Sequence, residues 1–178
     1  MLTQADVARL LDYYPATGVL IWRARPEAMF NGLCPARACA VWNTRFAGKR
    51  AGSPHSAGYI QLGLFGKDYY AHDIIWVLVT GAWPGHDIDH ENLNKSDNKW
   101  SNLRAATRSQ NGANTSLQRN NTSGYKGVHW FSPRNRWRAM ITVERKQISL
   151  GLFKDPYVAH LVYVAAAQKY FGQFARAA

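Results

Sequence analysis

The sequence predicts an α+β chain built from small antiparallel units, and three observations predict it. Alternating residues at 58–64 and 69–72 flank the turn Phe65-Gly66-Lys67-Asp68, the pattern of a β-hairpin. Three more alternating runs, at 123–130, 134–143 and 146–153, are followed by an Ala-rich helical stretch at 157–171. Between the two groups, Thr107 with Gln110 three residues on forms a capping box that starts a helix.

A chain of 178 residues holds one ordinary domain or two small ones. With 47% hydrophobic and 13% aromatic residues it can bury a core. Its formal net charge of +11 points to a polyanionic partner. The excess is uneven: residues 115–178 hold ten Lys/Arg against two acids, whereas residues 1–114 hold twelve against nine. No apolar run is long enough for a membrane span and no signal peptide is indicated, so an intracellular protein is expected. The two cysteines, Cys34 and Cys39, read as thiols of a reducing compartment. A zinc site would need two further ligands, so zinc is disfavoured.

From the N-terminus, Thr3 is an N-cap candidate and Val7, Leu10, Leu11 and Tyr14 fall at helical spacing, so a short amphipathic helix is expected over 3–13. Pro15 stops it, and residues 19–22 read as a buried strand. Residues 23–58 read as irregular because Pro26, Pro35, Gly48, Gly52 and Pro54 interrupt any period. Arg45, Lys49 and Arg50 there are phosphate-contact candidates, with a solvated loop as the plainer reading. After the hairpin, Ile74, Ile75, Leu78 and Val79 mark a helix that His72 opens and Gly81 ends.

The stretch 89–114 carries the chemistry. Asp89-His90 ends one strand, residues 100–106 turn into a second, and the capped helix brings Asn111 and Asn114. A carboxylate and a carboxamide oxygen make a hard-oxygen site suited to a single Mg²⁺ or Mn²⁺. A neutral imidazole can take a proton from water near neutral pH. These residue types fit phosphodiester hydrolysis, with Asp89 and Asn111 as ligands and His90 as base. A polar loop that only caps turns is the alternative for any one of them.

These residues together resemble the HNH nuclease family and its ββα-metal finger, over residues 59–114. The resemblance implies that Asn102 braces the loop and orients His90. It places a metal ligand at Asn111, with Asn114 the alternative, in the manner of the His-Asn-Asn subgroup of homing and phage nucleases. Arg104 and Arg108 flank this site as candidates to clamp the scissile phosphate.

Beyond a basic polar linker at 115–123 lie Gly124-Tyr125-Lys126-Gly127-Val128, Trp137-Arg138-Ala139 and Leu150-Gly151-Leu152-Phe153. Residues 121–176 resemble the plant Apetala/ethylene-response-factor DNA-binding domain. That resemblance implies a three-stranded antiparallel sheet on one helix, laid into the major groove of duplex DNA. The expected contacts are Arg108, Arg119, Lys126, His129, Arg134, Arg136, Arg138, Thr142, Lys146 and Gln147. The domains expected are an N-terminal segment 1–58, a nuclease domain 59–114, a linker 115–123 and a DNA-binding domain 124–178. The resulting expectation is a metal-dependent DNA endonuclease of homing or phage type, monomer or weak dimer, nicking one strand per monomer. The alternatives are an inactive DNA-binding regulator and a nuclease directed to RNA or to structure.

Overall fold

The structure, a computed structural model, describes residues 2–176, and the chain divides into two compact units between Arg104 and Ala105. It is a mixed α/β chain of small sheets of two or three strands. Among the described residues, no helix is long and apolar enough to cross a membrane.

The first unit opens with α1 (Gln4–Ala8), where Thr3 and Asp6 cap each other reciprocally. The helix expected over 3–13 stops here. Residues Leu11–Tyr14 form β1, which pairs antiparallel with β2 (Val19–Trp22) in the register Leu11↔Trp22 to Tyr14↔Val19. Val7, Leu10 and Leu11 are all buried, so their spacing suited a helical face. A helix this short is marginal by itself, and the β1–β2 ladder wins the residues after Leu10.

Residues 23–58 are not irregular throughout: Pro35–Phe46 form the twelve-residue helix α2. Pro35 sits in its first turn, where a missing N–H costs nothing, and the other Pro and Gly residues lie outside it. Trp42 of α2 meets Trp22 edge-on at 5.6 Å, and the Arg25 guanidinium lies over the Trp42 ring at 3.9 Å. Cys34 and Cys39 are both free.

Strands β3 (Ser53–Pro54), β4 (Ile60–Leu64) and β5 (Lys67–Tyr70) form a sheet in that order. Helix α3 (Ala71–Thr80) follows at once, so His72 belongs to the helix and not to the returning strand. Its Ile74, Ile75 and Val77 are fully buried, each worth about 1.5–3 kcal/mol of hydrophobic stabilisation. Strand β6 (Asp87–His90) pairs with β7 (Leu103–Ala106). Ile88 and Leu103 anchor the two strands in the first unit's core.

The second unit contains α4 (Arg108–Ala113), capped reciprocally by Thr107 and Gln110. Its sheet is antiparallel, in the order β10 (Lys146–Phe153), β9 (Arg136–Val143), β8 (Val128–Phe131). The first of these strands begins at Val128 and not at 123. Asn121 Oδ1 accepts from Gly124 N, and Ser123 Oγ donates to the Val128 carbonyl, which spends residues 121–127 on turns. Glu144 and Arg145, both left-handed, join β9 to β10. Helix α5 (Pro156–Phe171), capped by Asp155, covers one face. Ala139 and Ile141 point into that core with Ala159, Tyr163 and Ala167.

Candidate active site

His90 is the last residue of β6 and is only 4% exposed, beside Asp89 at 3%. A polar loop returns from His90 to β7, and its own carboxamides hold it. Asn102 Oδ1 accepts from Asn92 N at 3.0 Å, while Asn102 Nδ2 donates to the Asp97 carbonyl at 2.7 Å. Asn92 Nδ2 donates to Asp97 Oδ2 at 2.8 Å, and Asn94 Oδ1 accepts from Ser96 N. These are the local side-chain-to-backbone turns that Asn favours.

The loop delivers Asn98, itself 2% exposed, to the histidine: Asn98 Oδ1 lies 3.1 Å from His90 Nε2. An amide oxygen accepts a hydrogen bond, so the imidazole donates to Asn98 in the tautomer that carries hydrogen on Nε2. Asn102 thus braces the loop, and the carboxamide bonded to the imidazole is that of Asn98. The backbone of Asn98 is held in turn: Tyr13 Oη donates to its carbonyl at 2.9 Å. Gly18 presses on the same backbone so closely that an added Cβ would lie 2.5 Å from its carbonyl carbon.

Around His90 lies an aromatic wall. His72 meets it edge-on at 5.2 Å and Tyr59 tilts against it at 5.9 Å. Burial lowers the His90 pKa below the usual histidine value; the Asn98 bond and the Asp89 charge oppose that shift. Burial pushes His72 much further, down to about 3, and Asp73 up to about 6. The 3.6 Å approach of His72 Nε2 to Asp73 is therefore no ion pair at neutral pH, because the imidazole there carries no charge. Among the described residues, His72 Nδ1 is buried without a hydrogen-bond partner.

Asp89 Oδ2 accepts from Arg104 Nε at 2.9 Å, both side chains largely buried. Arg104 therefore orients the carboxylate, and its nearest further acid is Glu91 at 4.0 Å. Among the described residues no three His, Cys, Asp or Glu side chains group into a metal site. A metal held here would take carboxylate and carboxamide oxygens, a donor set that fits Mg²⁺ or Mn²⁺.

The other expected residues lie in the second unit. Asn111 is half-buried on α4, and Asn114, 4% exposed, caps the helix end. Arg108 and Arg119 are exposed. On the sheet face away from α5, His129 pairs across to Arg138, and Thr142 to Gln147. Arg138 Nε donates to His129 Nε2 at 3.1 Å and its guanidinium lies over Phe131. Arg134 and Lys146 are exposed, and Arg136 is half-buried. Lys126 is different: its Nζ donates to the carbonyls of Ala113 at 2.7 Å and Thr115 at 2.6 Å. Burial brings its pKa down to about 8.

Asn98 and Tyr59 are neighbours of His90 that the sequence did not single out, and His72, expected as a packing or hydrogen-bonding residue at the start of its helix, is a third. The loop contains Asn92, Asn94, Asn98 and Asn102, and no local pattern says which one turns inward.

The HNH endonuclease family model matches residues 69–113. Protein 3.8 of Escherichia phage T7 is 34% identical over 106 residues, which takes in 59% of this chain and 87% of the phage protein. No solved structure matches the chain.

Proposed function

Because the chain belongs to the family of phage T7 Protein 3.8 and carries an HNH endonuclease domain, we propose that it is a divalent-metal-dependent endonuclease acting on duplex DNA. One observation carries the reading: a buried imidazole, kept neutral by its surroundings and bonded to Asn98, stands beside a buried carboxylate inside the matched segment.

By their places in the motif alone, Asp89 and Asn111, or Asn114 in its stead, would be the oxygen donors for one Mg²⁺ or Mn²⁺. When bound, such an ion neutralises charge developing on the phosphate and the leaving oxygen. His90, buried beside Asp89 and held by Asn98, takes the proton of the attacking water. Asn102 keeps the loop closed beneath the pair, and Arg104 keeps the Asp89 carboxylate aimed. Arg108 is exposed for a phosphate.

The nuclease domain is proposed to span 59–114, supported by residues 1–58. Residues 115–123 link it to an Apetala-like domain at 124–178, whose outer sheet face docks on DNA mainly through phosphates. One finger per chain implies a nick in one strand per monomer.

A supercoiled-plasmid assay of wild type beside His90→Ala, with Mg²⁺, Mn²⁺ or EDTA, tests the reading. Open circles that need both the metal and His90 support it. No conversion with any ion, together with a clear gel shift of the same DNA, identifies an inactive DNA-binding regulator instead.

A further inference from the structure

None of the chain's eleven acidic residues falls between Glu27 and Asp68, yet Arg37, Arg45, Lys49, Arg50 and Lys67 all do. Helix α2 lies within this acid-free stretch. Its inner side is pinned by Arg25: Asn43 exchanges two 2.9 Å hydrogen bonds with the Arg25 backbone, and the guanidinium stacks on Trp42.

The outer side has no such partners. Arg37, Val41 and Arg45 follow at four-residue spacing, so they share one helix face. All three line a groove of about 540 Å³ with Phe30, Trp42 and Phe46. Arg37, Arg45, Lys49 and Arg50 are exposed, and none makes an ion pair among the described residues. No residue of α2 is itself fully buried. Trp42 and Phe46 pack against the first unit's core from the inner side, and what the helix presents outward is positive charge without counter-charge among the described residues.

We propose that α2 is a second DNA-contacting element, which engages phosphates through Arg37 and Arg45 and draws on Lys49 and Arg50 just past its end. The inference rests on the nuclease reading above and adds a contact surface remote in sequence from the catalytic motif. Eight residues of helix separate the two arginines by about 12 Å. That is about the width of the B-DNA major groove, so the pair reaches phosphates on both of its sides. Charge complementarity selects DNA as the occupant: the exposed cations of this face find no acid anywhere in the stretch 28–67, and the chain as a whole carries a net charge of +11, which sets a second copy of it against this face.

The test is fluorescence anisotropy of the full chain on a 30-base-pair duplex, without divalent metal, titrated from low to high KCl. Arg37→Ala/Arg45→Ala should weaken binding about tenfold at moderate salt and lower the log–log salt slope by about 2, one unit for each lost phosphate contact. Arg37→Lys/Arg45→Lys should restore the slope, because a phosphate contact needs the charge and not the fork. Circular dichroism and the melting temperature should not change in either variant. A wild-type slope in the alanine variant, with plasmid cleavage by wild type intact, overturns this inference and leaves the nuclease reading standing. A wild type that neither binds nor cuts DNA overturns both. A concentration-dependent doubling of mass in sedimentation that Val41→Asp abolishes, with the salt slope unchanged, assigns the face to a second copy and also overturns the proposal.

Discussion

Asn98 Oδ1 stands 3.1 Å from His90 Nε2, with each residue at least 96% out of solvent. The contact ties the proposed base to the polar loop as well as to its own strand. A base held this way has its pH behaviour written by two opposing causes: burial lowers its pKa below 6.5, and the Asn98 bond and Asp89 charge raise it.

The sign follows. As the proposed base His90 must be neutral, so cleavage should rise with pH through the His90 pKa, and the acid limb of kcat/KM should lie below pH 6.5. Asn98→Asp places a carboxylate beside the imidazolium and should move that limb to higher pH. Asn98→Leu removes the bond that raises the pKa, so the limb should move lower and the plateau fall by about 10- to 100-fold. A pH profile identical in all three proteins would make Asn98 merely a loop residue.

Gly18 supports the same contact from below. At φ +73 it presses on the Asn98 and Lys99 backbone, where a Cβ would approach to 2.5 Å. Both the left-handed conformation and the backbone contact forbid a side chain. Gly18→Ala should cost about 3 kcal/mol of stability and depress cleavage more than DNA affinity. Thermal melts read the first effect and parallel binding and nicking assays the second; an unchanged melt would show that the loop simply moves aside.

His72 should make the fold acid-sensitive. Its pKa is about 3 in the folded chain against 6.5 for a free histidine, so the unfolded chain binds the extra proton between those values. The stability it permits is present above pH 6.5 and drains away as pH falls toward 3. Asp73 acts oppositely: its folded value near 6 exceeds 3.8, which adds stability as pH falls through 6. His72→Leu removes the first effect alone. Wild type should therefore lose on the order of 2–3 kcal/mol relative to this variant between pH 6.5 and 4, measured by urea unfolding at each pH. A constant difference would mean that His72 takes up its proton inside the fold.

Lys126 and the exposed cations Arg134 and Lys146 should separate cleanly. Lys126 Nζ is spent on two carbonyls within its own unit, so Lys126→Ala should cost about 2 kcal/mol and leave the salt slope of DNA binding nearly unchanged. Arg134→Ala/Lys146→Ala, both exposed, should do the reverse: an unchanged melt and a slope lower by about 2. If Lys126→Ala lowered the slope without lowering the melting temperature, its ammonium would be a DNA contact after all.

Gly127 provides a check on the second unit's packing. It holds φ +74 directly against the Tyr163 ring, which a Cβ would meet at 2.0 Å. Gly127→Ala should push Tyr163 out of the core and destabilise the sheet by about 3 kcal/mol or more. The readout is loss of the protected amides of β9 in hydrogen exchange, and retained protection would show that the ring can rotate away.

The sequence alone determined the elements whose signals are local. The Thr107/Gln110 box, the β4–β5 hairpin, α3 up to Gly81, and the β9–β10 turn each rest on residues within a few positions of one another, and these elements form as their residues prescribe. The Asp89-His90 pair and the Asn-rich loop were legible for the same reason. Tertiary structure decided what depends on distant partners. Leu11–Tyr14 became a strand because Val19–Trp22 offered a ladder. Helix α2 persisted because Trp22 and Arg25 gave its inner side something to stack on. Among four asparagines of one loop, Asn98 became the partner of His90 because Tyr13 and Gly18, some eighty residues earlier, hold its backbone in place. Periodicity and capping act along the chain, whereas burial and hydrogen-bond satisfaction act through space, and the candidate site is chosen by the second pair.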